Sequence, residues 1–303
     1  MLFVTRLAVT TAAVSLFSSA PSFSADNWDI SGKASAGLEQ QSNVNISQLE
    51  QASGRSDVAT LLAADLNATW QVNPKWTLSS GYSVQDKNYR EADDFNTRLH
   101  LANIDAGYQH GNTTYGTNYY YAMAELAGER FLTLNQGSVY AMHSASDSWF
   151  VRPAITATEK TFANIGARDA NNLSISTDSF WFFAEGQHFV SLGLVYEDED
   201  TQDNSFSYRA PGLRLKVSGR FDFWHLKQQL QLGMKISKRD YQKLDTDTAP
   251  RQDTHSQLEA KWQLNVTPVF SVVTAVEHGD FSSTLESADY RETRSSVSLQ
   301  VSF

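Results

Sequence analysis

Thr293-Arg294-Ser295-Ser296-Val297-Ser298-Leu299-Gln300-Val301-Ser302-Phe303 ends the chain, and its side chains alternate in character. Successive residues of a strand point to opposite faces. Ser295, Val297, Leu299, Val301 and Phe303 therefore share a face suited to an apolar phase, and Arg294, Ser296, Ser298, Gln300 and Ser302 share a polar one. A strand that stops on an aromatic carboxy-terminus either closes a sheet or forms the edge of a soluble sandwich. The rest of the sequence weighs on that choice.

Similar alternation recurs at 28–38, 58–71, 75–85, 97–109, 114–124, 131–142, 148–158, 173–183, 188–196, 206–221, 227–239, 254–264, 269–277 and 293–303. Short connections rich in turn formers, such as His110-Gly111-Asn112-Thr113 and Asn265-Val266-Thr267-Pro268, alternate with long polar ones at 39–57, 86–96, 159–172, 197–205, 240–253 and 278–292. The connection 125–130 falls on the long side but is short. This pattern predicts an all-β fold: a transmembrane antiparallel up-and-down β-barrel of about 14 strands, with 12 or 16 as the alternative counts. Strands four, five and eight carry aromatics on both faces, notably Tyr119-Tyr120-Tyr121 and Phe180-Trp181-Phe182-Phe183, and a register slip or bulge is expected there.

Aromatic placement supports the barrel. All 7 Trp fall at short-turn ends of strands, and Tyr89, Tyr119, Tyr120, Tyr196, Tyr208, Tyr241 and Tyr290 fall at long-loop ends. Two girdles at headgroup level are the physical expectation for a spanning barrel. A soluble sandwich gives no reason to segregate Trp from Tyr.

Residues 1–25 read as a removable signal peptide, with Arg6, an apolar run from Leu7 to Phe17 and small residues from Ser18 to a cut between Ala20 and Ala25. Residues 26–303 then form one barrel domain. No later run approaches the roughly 18 apolar residues of a spanning helix. With no Cys, neither a disulfide framework nor a thiolate metal site is expected. A net charge of −10 argues against nucleic acid as a partner.

The face opposite the apolar one is expected to line the lumen. It carries Arg214, Lys216, Arg220, Lys235, Arg239, Lys261 and Arg294, a basic stripe lightly offset by Glu259. Such a wall concentrates anions, which suits a channel for small hydrophilic solutes or oligosaccharides. The equally weighted alternative is a structural ladder in which these cations pair with Asp65, Asp105 and inward-folded acidic loops. Glu197-Asp198-Glu199-Asp200 and the group Glu91, Asp93, Asp94 are read as solvated loops, with bridging of divalent cations to lipopolysaccharide as the rarer reading. No catalytic residue, metal centre or cofactor is expected. His278 with Asp280 is the best remaining catalytic pair, and both are read as surface groups.

The closing strand resembles the C-terminal signature of Gram-negative outer-membrane barrels. That resemblance implies the cell outer membrane as location, its lipids and lipopolysaccharide as surroundings, and recognition of the strand ending in Phe303 by the barrel assembly machinery. Gly37-Leu38-Glu39-Gln40-Gln41-Ser42-Asn43-Val44-Asn45 resembles the opening of the barrel in the surface lipoprotein assembly modifier group and related secretion barrels. It implies export of a surface protein or polysaccharide together with periplasmic partners. Members usually carry a helical tetratricopeptide repeat domain before the barrel. None is expected in this sequence, so the cargo recognition such a domain provides is not expected of it.

Overall fold

The computed structural model describes residues 23–25, 27–242 and 250–303. The expected signal peptide lies outside the described residues except for Phe23–Ala25, a short strand paired antiparallel with residues 28–30. Fourteen long strands form the wall: β1 (Trp28–Gln41), β2 (Asp57–Asn73), β3 (Trp76–Tyr89), β4 (Thr97–His110), β5 (Thr113–Leu126), β6 (Glu129–Ser146), β7 (Trp149–Phe162), β8 (Ala170–Phe183), β9 (His188–Thr201), β10 (Tyr208–Phe223), β11 (Leu226–Tyr241), β12 (Gln252–Asn265), β13 (Phe270–Ser283) and β14 (Tyr290–Ser302). Each pairs antiparallel with its sequence neighbour, and β14 returns to β1 from Arg294↔Gln41 to Ser302↔Lys33. Closure satisfies the backbone groups that an open edge would leave unpaired in lipid.

The last residue completes the seam. Phe303 N–H donates to the Gly32 carbonyl at 3.0 Å, and Gly32 N–H donates back at 2.8 Å. The tip of the Phe303 ring lies where a Cβ at position 32 would stand, so a larger residue there would have to displace the ring.

The two faces divide as the alternation predicts. Leu38, Ile175 and Leu299 point outward with 59%, 58% and 65% of their surface exposed, while Gln41, Asp253 and Glu292 are sealed inside. A soluble protein buries the opposite set. Leaving this apolar belt in water would cost about 25 cal/mol for each Å², so the wall suits hydrocarbon. Strands of 13 to 18 residues exceed the roughly 9–11 needed to cross it.

That surplus extends the strands beyond the expected boundaries. Backbone pairing continues past the last outward apolar residue because it needs no apolar side chain. The block 197–200 is consequently part of β9 and not a solvated loop: Glu197 and Glu199 face inward, while Asp198 and Asp200 face outward.

Trp28 and Trp70 stack at the short-turn end with ring centroids 5.3 Å apart, as do Trp149 and Trp181 at 6.3 Å. The tyrosine expectation holds only in part. Tyr119 and Tyr196 face outward, but Tyr89, Tyr208, Tyr241 and Tyr290 are buried on the inner face. Strand parity, not proximity to the rim, decides where each ring points. Strands β4 and β8 pair with both neighbours without the expected slip along β8, and the shift near β5 lies at its end, at Ala124/Glu125. In β8 the aromatics divide by parity, so Phe182 faces inward and meets Phe150 at 5.6 Å, while Phe183 faces outward.

Candidate functional site: the loop-end mouth

Residues 42–56, between β1 and β2, fold into the lumen. Asn45–Ile46 pairs with Gln51–Ala52 around a 3-10 turn, Ser47–Leu49. Val44 is fully buried against Ala59, Tyr89 and Ala92. Leu49 packs on the inner wall of β4–β7, where Leu99, Ala122, Leu132 and Leu134 are buried. A segment that leaves β1 and packs against β4–β7 crosses the mouth.

The base of this loop is fixed by buried polar groups on β1, β3 and β14. Gln41 Nε2 donates to Glu292 Oε2 at 2.9 Å, and Lys87 Nζ donates to Gln41 Oε1 at 2.9 Å. Asn45 Nδ2 donates to the same Glu292 oxygen. Arg294 grips Glu292 through two bonds, Nε at 3.0 Å and Nη2 at 2.7 Å, and Lys87 is ion-paired with Glu39. Bidentate pairing of this kind adds geometric definition as well as energy.

The tip is held from other strands. Glu50, in the left-handed region with φ 55°, projects its carboxylate toward β11 and the start of β12. Arg239 Nη1 and Tyr241 OH each donate to Glu50 Oε1 at 2.6 Å, and Arg251 Nη2 donates to Oε2 at 2.8 Å. Arg239 stacks 4.4 Å over the Tyr208 ring and Arg251 stacks 4.2 Å over Tyr241. Arg168, between β7 and β8, donates to the carbonyls of Gln48 and Leu49, each at 3.2 Å. Burial raises the Glu50 pKa, but Arg239, Arg251 and the Tyr241 hydroxyl outweigh it and hold the group below the ordinary glutamate range. Burial pulls the Arg168 pKa down, partly offset by Glu50, yet a guanidinium stays charged at neutral pH.

All seven basic residues singled out from the sequence stand on the inner face. Arg214, Lys235 and Arg239 line one cavity of about 150 Å³ beneath the loop tip. Arg294 belongs to the loop base. Lys261 lies further down, beside Lys33, Lys216, Glu259 and Asp65, and Arg220 lies nearer the short-turn end. Arg214 pairs with Asp178 at 3.1 Å, Arg239 with Glu50, and Arg294 with Glu292. Asp105, one of the expected partners, instead accepts from the Tyr140 hydroxyl at 3.0 Å, with Arg152 4.3 Å over the Tyr140 ring.

Sequence reasoning missed Glu50, Arg168 and Arg251, which lie in connections without periodicity. Tyr208 and Tyr241 were findable, since parity places them with Arg214 and Arg239. His278 bonds Thr293 at 2.9 Å and Asp280 bonds Arg291 at 2.7 Å, both on the outer face. Among the described residues, no group of three or more His, Asp or Glu stands ready for a metal ion.

A family model described as surface lipoprotein assembly modifier matches residues 28–270. No curated protein matches the chain. Among solved structures, the anion-selective porin from Comamonas acidovorans is similar with a TM-score of 0.51 and 10% identity, over 91% of this chain and 99% of that one. OmpT of Vibrio cholerae, in its trimer form, is similar with a TM-score of 0.54 and 8% identity, over 92% of this chain and 100% of that one. At such identities these structures speak for the barrel fold alone. Fold and family together place the protein in the outer membrane.

Proposed function

The chain belongs to the surface lipoprotein assembly modifier family, and from that premise we propose that it is an outer-membrane export barrel with a closed resting state. Its passenger is a surface protein, and passage requires residues 42–56 to leave the lumen. The observation that carries this reading is Glu50, held by Arg239, Tyr241 and Arg251 after the loop has crossed the mouth. A standing diffusion pore needs an unobstructed path whose binding is weak enough to release each solute. A strap pinned by charge-assisted bonds serves a gate better. The reading assigns the barrel no catalytic chemistry. It takes periplasmic partners as delivering the passenger, and the barrel assembly machinery as reading residues 293–303.

Two measurements test it. In planar bilayers the mature chain is expected to be nearly silent, and a variant with residues 43–55 replaced by a short Gly-Ser linker is expected to conduct in steps. In cells, deleting the gene is expected to leave a surface lipoprotein inaccessible to antibody on intact cells. Steady large conductance of the unmodified barrel with unchanged surface proteins would sink the export reading. It would favour the second reading, a small-solute channel with a partly basic lumen, for which Lys216, Arg220 and Lys235 are the relevant groups. In the loop-replaced barrel, neutralising those three is then expected to shift ion preference toward cations.

A further inference from the structure

We propose that Arg239, Arg251, Tyr241 and Arg168 form a receptor for an acidic peptide segment, and that the chain's own Gln48-Leu49-Glu50 is its resident occupant. The inference rests on the closed-strap reading and adds what releases it: a passenger segment of like chemistry displaces the strap.

The contacts define the ligand. Two arginines and a tyrosine hydroxyl converge on a single carboxylate, and both of its oxygens are engaged. Arg168 reads two main-chain carbonyls immediately preceding that side chain. A free carboxylic acid offers the first feature only. A peptide with a glutamate offers both.

The receptor belongs to the barrel and not to the loop. Arg239 stacks on Tyr208, whose ring lies 5.4 Å from that of Tyr241. Arg251 is independently held by Asp253, its Nε donating at 3.0 Å. Arg168 lies 4.1 Å over the Phe206 ring. Each cation therefore keeps a partner when the strap leaves, which preorganises the site for another occupant.

Room and charge are adjacent. The cavity beneath the tip is lined by Lys160, Arg168, Arg214, Lys235 and Arg239 against Glu50, Glu197 and Glu199. Within that lining Lys160 is ion-paired with Glu199 and Arg214 with Asp178, so removing Glu50 takes a carboxylate from Arg239 and Arg251 and leaves those two pairs in place. Tethering presents the resident segment at an effective concentration on the order of millimolar. A free peptide therefore competes only at comparable, millimolar concentration, and a passenger delivered into the lumen reaches such a local concentration.

The test uses a hexapeptide copying residues 47–52, blocked at both ends, and its Glu→Gln counterpart. Titrated by calorimetry into detergent-solubilised Glu50→Ala, the glutamate peptide is expected to bind about tenfold tighter than the glutamine peptide, the equivalent of one charged hydrogen bond. Adding Arg251→Gln is expected to erase the difference. Equal binding of the two peptides, no binding of either, or acetate binding as well as the peptide would each overturn the proposal.

A second measurement keeps Glu50 and so does not depend on how that variant folds. The chain has no Cys, so Ser56→Cys takes a single fluorophore on the strap. Millimolar glutamate peptide is expected to lower its anisotropy, and unchanged anisotropy overturns the proposal. Peptide binding in a barrel that stays silent after loop replacement sinks the export reading alone. A barrel that conducts on loop replacement but binds no peptide sinks the receptor alone.

Discussion

The base and the tip of the loop 42–56 are both held by carboxylates gripped by arginine, yet they are built for opposite ends. At the base, Glu292 and Arg294 sit on β14, Gln41 on β1 and Lys87 on β3, strands that adjoin or nearly adjoin around the closing seam. Those bonds join residues of strands that the backbone ladder already holds in register, so they stay together while the barrel is closed. At the tip, Glu50 reaches Arg239 and Arg251, 189 and 201 residues away in sequence. Those bonds cross the mouth, and releasing them leaves the wall unchanged. One loop thus carries a fixed hinge and a removable latch.

The comparison breaks most easily at the base. Glu292→Ala leaves Arg294, which is buried, without its bidentate partner and takes one acceptor each from Gln41 and Asn45, which keep the Asn43 carbonyl. Removing one member of a buried pair costs about 3–5 kcal/mol. The expected outcome is a large fall in the urea midpoint of barrel unfolding, read by heat-modifiable gel mobility. Glu50→Gln is expected to leave that midpoint almost unmoved and to turn a silent barrel into a flickering conductor in planar bilayers. If the two variants lower stability alike, the tip is part of the wall and the gate reading fails.

Acidity sharpens the same contrast. Glu50 in the seated loop titrates below the ordinary value of 4.5. A carboxylate with a depressed pKa contributes its stabilisation above the ordinary value and loses it as pH falls through the depressed one. Open probability is therefore expected to be flat from about pH 7 to about pH 5 and to climb below the ordinary carboxylate range. In Glu50→Gln this step should vanish. A step that persists in that variant would assign it to other carboxylates.

Of the base only Arg294 was legible in the sequence, and the tip was not, for a physical reason. The motif from Gly37 to Asn45 contains Gln41, Asn43, Val44 and Asn45, which now prove to be the hinge: Val44 is fully buried, and Gln41 and Asn45 bond Glu292. The alternation was read only to Leu38, whereas backbone pairing carries the same period on to Gln41. Beyond Asn45 the period ends, and nothing in Gln48-Leu49-Glu50 says whether it folds in or out. The same limit explains Arg239. Parity placed it inside, but its partner comes from a loop, so the choice between a bare basic wall and a paired ladder needed the fold. The tyrosines mark a different limit. Counting distance to the rim put Tyr208 and Tyr241 in a lipid girdle, whereas counting parity puts them inside.

The smallest expected effect isolates the latch from charge in general. Arg209 and Asp198 form a pair at 3.1 Å on the outer face near the same rim, with side chains 68% and 44% exposed. Exposed pairs of this kind contribute between about 0 and 1 kcal/mol, because water screens them and ordering two long side chains costs entropy. Arg209→Ala removes a positive charge at the rim, as Arg239→Gln does inside the mouth, but touches neither the strap nor the lumen. It is expected to leave both the unfolding midpoint and the conductance unchanged, while Arg239→Gln opens the barrel. Equal opening by the two would mean that local potential at the rim, and not the seat of Glu50, keeps the mouth closed. The salt dependence would then separate the two causes, since the Debye length of about 8 Å at physiological ionic strength screens a rim charge and leaves a desolvated pair largely intact.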